Sequence, residues 1–168
     1  RIAALSIALG VKLGLSKKDI ELLEHAAVLH DLGKVGIGNK VLSKKGKLTA
    51  AEFKSIKKHP QIGAEIIKQI RFLKEVIPLI LYHHERFDGQ GYLEGLKDKD
   101  IPLGARIIAL ADVYEALISD RPYRKAYSKE EALDIIKKEG RGTQFDPEIV
   151  DIFVEMESKG LGGILDGD

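Results

Sequence analysis

The sequence contains no cysteine and no tryptophan, and has a single methionine and five prolines in 168 residues. Without cysteine there are no disulfides, thiolate zinc sites, iron–sulfur clusters or sulfur nucleophiles. No apolar run approaches the roughly 18 residues of a membrane-spanning helix. The apolar opening from Arg1 to Gly10 lacks the cleavage pattern of a secretory leader, and a start at arginine reads as an N-terminally truncated fragment of a longer chain. An excess of one charge is missing too: 27 basic residues face 26 acidic ones. The resulting balance gives no global footprint for DNA, RNA or an anionic membrane. The expected setting is cytoplasmic.

Hydrophobic residues make up 44%, enough for one domain, 1–168, to bury a core without staples. Charge is local. Residues 39–74 hold ten Lys or Arg against two Glu, and 145–168 hold seven acids against one Lys. Apolar residues recur at helical spacing nearly throughout, as in Ile2, Leu5, Leu9 and Leu13. Helix starts are marked by Ser16–Asp19, Thr49–Glu52, Ser128–Glu131 and Asp146-Pro147. A further helix is expected over 73–86, started or kinked at Pro78, and another from Pro102 to about Ser119. The last helix should run to about Gly160, with 161–168 a loosely held tail. The longest non-helical stretch, 87–101, has three glycines in seven residues, as in a loop passing close to something. No β alternation stands out. The expected architecture is all-α, a compact bundle of seven to eight short helices.

Four of the five histidines have unusual neighbours. His30-Asp31 ends a helix just before Gly33-Lys34, His59 precedes Pro60, and His83-His84 precede the glycine loop. Asp112 sits in the apolar run Ile107-Ile-Ala-Leu-Ala-Asp-Val-Tyr. A carboxylate there needs a cation: an ion pair with Arg106 or Arg121, or a metal. Adjacent helix residues point about 100° apart, so His83 and His84 cannot easily share one metal but could each serve one ion of a two-metal cluster. His25 is assigned to structure. Imidazoles and carboxylates without sulfur favour iron, manganese, zinc or nickel. Two such ions form a clamp for in-line displacement at phosphorus. Lys34 follows Asp31 and His30 by three and four residues, on their face, where an ammonium can neutralise a phosphoryl oxygen. Arg121 and Arg124 offer guanidiniums matched to phosphate. Solvated surface positions are the competing reading for all three cations.

These motifs resemble the HD-GYP domains, a branch of the HD phosphohydrolase superfamily. The resemblance is carried by His30-Asp31-Leu-Gly-Lys34, His59-Pro60 with Gly63, and His83-His84-Glu-Arg-Phe-Asp88-Gly89-Gln-Gly91-Tyr92. It continues through Arg106, Ala111-Asp112-Val-Tyr-Glu-Ala-Leu117, Arg121-Pro-Tyr-Arg124 and Phe145-Asp146-Pro147. It implies an HD-domain-like fold and a phosphodiesterase that hydrolyses cyclic di-GMP to pGpG and GMP by attack of metal-activated hydroxide. Carried over residue by residue, it makes His30, Asp31, His59, His83, His84 and Asp112 the metal ligands, with Asp31 bridging. Lys34 becomes the lysine at the scissile phosphate, Arg121 and Arg124 become phosphate contacts, and Tyr92 borders the substrate pocket. The implied cofactors are two or more divalent ions, iron or manganese first, then zinc or nickel. Implied partners are cyclic di-GMP, a diguanylate cyclase (GGDEF) domain, an upstream sensor domain and a second copy in a homodimer.

The chain departs from the family pattern in three places. A histidine ligand upstream of Arg1 is not in this sequence, Glu115 stands where Asp is usual, and Leu93 stands where the signature has proline. Leucine should loosen the loop, and Leu93→Pro is expected to order it. Two other readings stay open at this level: a catalytically degenerate nucleotide-sensing or cyclase-docking module, and a phosphohydrolase of other nucleotides such as ppGpp or dNTPs.

Overall fold

The longest helix carries only three charges, and everything else is arranged around it. In the computed structural model, which describes residues 1–44, 46–121 and 124–159, this helix is α7, Leu103–Ile118, named with the others in chain order. Its Ile107, Ile108, Leu110, Ala111 and Tyr114 are all buried. Around it pack α1 (Ile2–Lys12), α2 (Lys17–Leu29), α6 (Ile77–Leu81), α8 (Lys129–Ile135) and α9 (Pro147–Ser158). The remaining helices are α3 (Asn39–Leu42), α4 (Ala50–Ile56) and α5 (His59–Ile67). With α3 and α6 only four and five residues long, the rest agree with the expected bundle of short helices. There is no β-strand among the described residues; the tail 161–168 lies outside them.

Local chemistry explains the starts. Thr49 and Ser128 each accept the N–H of a glutamate three residues on, and that glutamate reaches back to the cap's own N–H. The Ser16 cap is one-sided: it accepts from the Asp19 N–H, while the Asp19 carboxylate takes the Ser16 hydroxyl. Asp146 caps α9 by accepting from the Glu148 N–H and also pairs with Arg106, so its buried charge is balanced. Arg106 is therefore not the partner of Asp112.

Residues 73–86 do not form one helix. A 3₁₀ segment, Arg71–Val76, leads into α6, which starts with Pro78 in its first turn and stops at Tyr82. His83 and His84 consequently lie in a turn beyond the helix, where the 100° spacing does not apply. A second close fit joins the 3₁₀ segment Leu32–Gly36 to α5. A Cβ at Gly33 would lie 1.8 Å from the His59 carbonyl oxygen, so only glycine lets these two ligand-bearing segments touch.

Candidate metal centre

The six residues singled out as ligands come from four places in the fold and meet beside the middle of α7. His30 caps the C-terminus of α2, and Asp31 follows it into the 3₁₀ segment. His59 is the first residue of α5, His83 and His84 follow α6, and Asp112 lies in mid-α7. His30 Nε2 lies 3.6 Å from Asp31 Oδ2 and 3.8 Å from Asp112 Oδ1. His59 Nε2 is 3.4 Å from Asp31 Oδ1 and 3.4 Å from His83 Nε2. The His83 and His84 ring centroids are 3.9 Å apart. One potential ligand atom from each of His59, His83 and His84 falls within 4.8 Å of the others, a grouping that could hold a metal ion.

Orientation of the rings is fixed from behind. The Nδ1 atoms of His30, His59 and His83 lie 2.7, 2.8 and 2.7 Å from the carbonyls of Ala27, Ile56 and Ile80, each three residues earlier. A carbonyl only accepts, so Nδ1 carries the proton and Nε2 presents a lone pair to the cluster. Among the described residues the buried Nε2 of His30 has no hydrogen-bond partner, and the Nε2 lone pairs of His59 and His83 face each other. A buried nitrogen left unpaired is costly, and opposed lone pairs repel. A shared cation relieves both defects. The donor set of imidazole nitrogens and carboxylate oxygens therefore fits a divalent metal.

Burial is the largest influence on these rings, and it disfavours imidazolium. It pulls His83 well below its ordinary pKa, His84 down to about 3, and His59 below its usual range. His30 goes the other way. Burial lowers it, but the Asp112 and Asp31 carboxylates outweigh that and raise it. Burial likewise opposes the Asp112 anion, yet His30 and the other imidazoles hold it down to about 2. Burial thus favours neutral His59, His83 and His84 beside an ionised Asp112, the protonation state that ligands require.

Lys34 donates to Asp31 Oδ2 at 2.6 Å, which puts an ammonium at the edge of the cluster. Tyr92 stacks on His84, with centroids 4.9 Å and planes 26° apart. Both rings line a cavity of about 160 Å³ with His83, Glu85, Gly91 and Asp112. Arg121 is exposed, and its backbone pairs with that of Arg124. Arg124 is differently occupied. Its guanidinium donates to the carbonyls of Ala116, Leu117 and Lys125 and lies 4.2 Å from the Tyr127 ring, closing the C-terminus of α7. Pro122 and Tyr123 between them are outside the described residues. Glu115, the second departure, forms an ion pair with Arg1 at 3.3 Å, and His25 is an exposed residue of α2.

Glu85 was not singled out in the sequence. It is buried, and its Oε1 accepts from the N–H groups of Glu94 and Gly95 at 2.7 and 3.0 Å, fastening the far side of the glycine loop. Gly91 passes so close that a Cβ would lie 2.5 Å from Glu85 Cα. The available signal was a carboxylate directly after His83-His84 and directly before a glycine loop, the place where exposed loop N–H groups need an acceptor. Leu93 corrects another expectation. Its φ is +134°, far from the −65° or so that a proline ring imposes, so Leu93→Pro cannot order this loop without rerouting it.

The HD domain family matches residues 1–149. The chain belongs to the HD domain family. Among curated relatives, the cyclic di-GMP phosphodiesterase response regulator RpfG of Xanthomonas campestris is 47% identical over 142 residues, covering 83% of this chain and 37% of its own. A cyclic di-GMP phosphodiesterase of Vibrio cholerae is 48% identical over 147 residues, covering 83% of this chain and 30% of the relative. This HD domain chain thus spans about a third of the length of those relatives. Among solved structures, an HDG"Y"P protein of Bdellovibrio bacteriovorus superposes with a TM-score of 0.73 at 26% identity, covering 94% of this chain and 50% of that one. No helix among the described residues is long and apolar enough to cross a membrane.

Proposed function

We propose that this HD domain is a metal-dependent phosphodiesterase acting on cyclic di-GMP, giving pGpG and then GMP. The observation that carries the reading is the inward-facing Nε2 set of His30, His59 and His83, each locked at Nδ1 and grouped with His84, Asp31 and Asp112. Those six residues would hold two or more divalent ions, iron or manganese by preference. Bound ions would supply positive charge at the phosphodiester and a nucleophile drawn from water at neutral pH. Asp31 faces both His30 and His59, which suits a carboxylate shared between ions.

Other groups act on the substrate. Lys34, whose ammonium stands at Asp31 on the edge of the cluster, would neutralise a non-bridging oxygen of the scissile phosphate. Tyr92 gives a flat ring at the cavity wall for a base or ribose, and Arg121 extends its guanidinium toward phosphate. Arg124 serves the loop that carries Arg121, by holding it to the end of α7. The names of the two phosphodiesterase relatives support the substrate. In the longer protein, a sensor domain upstream, a GGDEF partner and a homodimer complete the expected setting in the cytoplasm.

The test is turnover of cyclic di-GMP beside pGpG, ppGpp and dGTP, with added Mn(II) or Fe(II). Hydrolysis of cyclic di-GMP well above ppGpp and dGTP supports the reading. Preference for ppGpp or dGTP would assign the site to another nucleotide, and no turnover of any of them with metal bound would leave a sensing module.

A further inference from the structure

The helices α3 and α4 bury none of their own residues, and the stretch from Asn39 to Lys58 is rich in lysine. One lysine there is placed unlike its neighbours. Lys57 ends α4, two residues before His59, and its ammonium lies 4.8 Å from the centroid of the Phe53 ring and 4.8 Å from that of Tyr92. Lys44 pairs with Glu52 and Lys34 with Asp31, but among the described residues no carboxylate pairs with Lys57. Two ring faces hold the ammonium in place without neutralising it. Tyr92 is also stacked on His84, so the cation stands beside a ring that touches the metal-ligand cluster itself.

A cyclic dinucleotide brings two phosphodiester groups, and only one is cleaved at a time. Lys34 sits on Asp31, at the cluster, where the reacting phosphate must be. The second phosphate then lies away from the cluster and needs its own counter-charge. Arg124 has spent its fork on the carbonyls of Ala116 and Leu117. We infer that Lys57 is a substrate-contacting residue that takes the uncleaved phosphodiester of the bound cyclic dinucleotide, leaving the Tyr92 face to do so. This rests on the phosphodiesterase reading above. Before substrate arrives, Lys57 ties α4, otherwise lightly held, to the glycine loop through the Tyr92 ring.

Steady-state kinetics of the metal-loaded protein test this with Lys57→Met, which keeps the stem and removes the charge, and with Lys57→Arg. Cyclic di-GMP is compared with bis(p-nitrophenyl) phosphate, which has a single phosphodiester. A hydrogen bond to a charged group corresponds to a roughly ten- to hundredfold effect. Lys57→Met should raise KM for cyclic di-GMP by that factor with kcat changed less than about threefold, and should flatten the rise of KM with salt. Lys57→Arg should recover most of the loss. The drop in kcat/KM should be at least about tenfold larger for cyclic di-GMP than for the single diester. An unchanged KM in Lys57→Met, with the unsubstituted protein active, overturns this inference and leaves the phosphodiesterase reading standing. An equal loss on both substrates, carried by kcat, makes Lys57 a prop for His59 and also overturns it. An unsubstituted protein that loads metal but turns over no cyclic di-GMP overturns both.

Discussion

Helices α7 and α4 both reach the candidate site, and they are built on opposite plans. α7 buries seven residues and delivers Asp112 from its middle; α4 buries none and leads to Lys57 at its end. Three of the six proposed metal-ligand positions follow the first plan: His30, His59 and His83 are each buried and each tied to a carbonyl. Lys34, Tyr92 and Lys57, the groups given to substrate, are partly exposed and held by ion pairs and ring faces. Ligands that must not move sit on packed elements, and groups that meet an arriving molecule sit where movement costs little.

The sharpest way to break that contrast is to remove a ligand without touching the core. Asp31→Ala should reduce cyclic di-GMP turnover by more than about a hundredfold, because losing a shared ligand costs more than losing an outer partner worth 10–100-fold. Circular dichroism and thermal unfolding should show an intact fold. Turnover within tenfold of the parent at full metal loading would remove Asp31 from the centre.

The next effect is on stability. Leu110→Ala empties a site with no exposed surface and should cost about 2–5 kcal/mol in urea unfolding. Phe53→Ala on half-exposed α4 should stay within about 0.5 kcal/mol. Similar losses in both would mean that α4 is part of the core after all. Smaller again is Glu85→Ala, which frees two loop N–H groups and should cost about 1–3 kcal/mol, with faster amide exchange at Glu94 and Gly95. Glu85→Gln keeps an acceptor and should recover part of that protection; equal exchange in all three proteins would deny Glu85 its hold on the loop.

The smallest effect is local and set by pH. The Lys44 ammonium and the Thr49 N–H hold the Glu52 carboxyl down to about 2 from 4.5. A depressed carboxylate stabilises the fold above its unfolded value and loses that as it is protonated. The N-terminus of α4 should therefore fray as pH falls from about 4.5 toward 2, read by exchange of the Glu52 N–H against that of Glu131. Protection that falls equally at both would mean that protonation of Glu52 has no particular effect on the α4 cap.

Much of this was legible in the sequence because it is local. Thr49 with Glu52, Ser128 with Glu131 and Asp146 before Pro147 specify their own helix starts within four residues. His30, Asp31, His59, His83, His84 and Asp112 stood out as polar groups with no local purpose. What stayed hidden depends on distance along the chain. The pairing of Arg106 with Asp146 spans 40 residues and took away one expected partner of Asp112. Residues 73–86 had helical periodicity, and the break at Tyr82 that turns His83 and His84 together has no signal in residue type. Lys57 was concealed among ten basic residues, and only its position over Tyr92 separates it from them. Leu93 misled because the sequence shows a missing proline but not a φ of +134°.

The most direct measurement is the metal content of anaerobically purified protein, taken on the parent chain and on a His59→Ala, His83→Ala double variant. The account predicts at least one tightly held divalent ion per parent chain, removed by chelator with loss of cyclic di-GMP turnover and restored with Mn(II) or Fe(II). It predicts a folded double variant that retains none. A parent chain that binds no transition metal after reconstitution, or a double variant that binds as much as the parent, would contradict it.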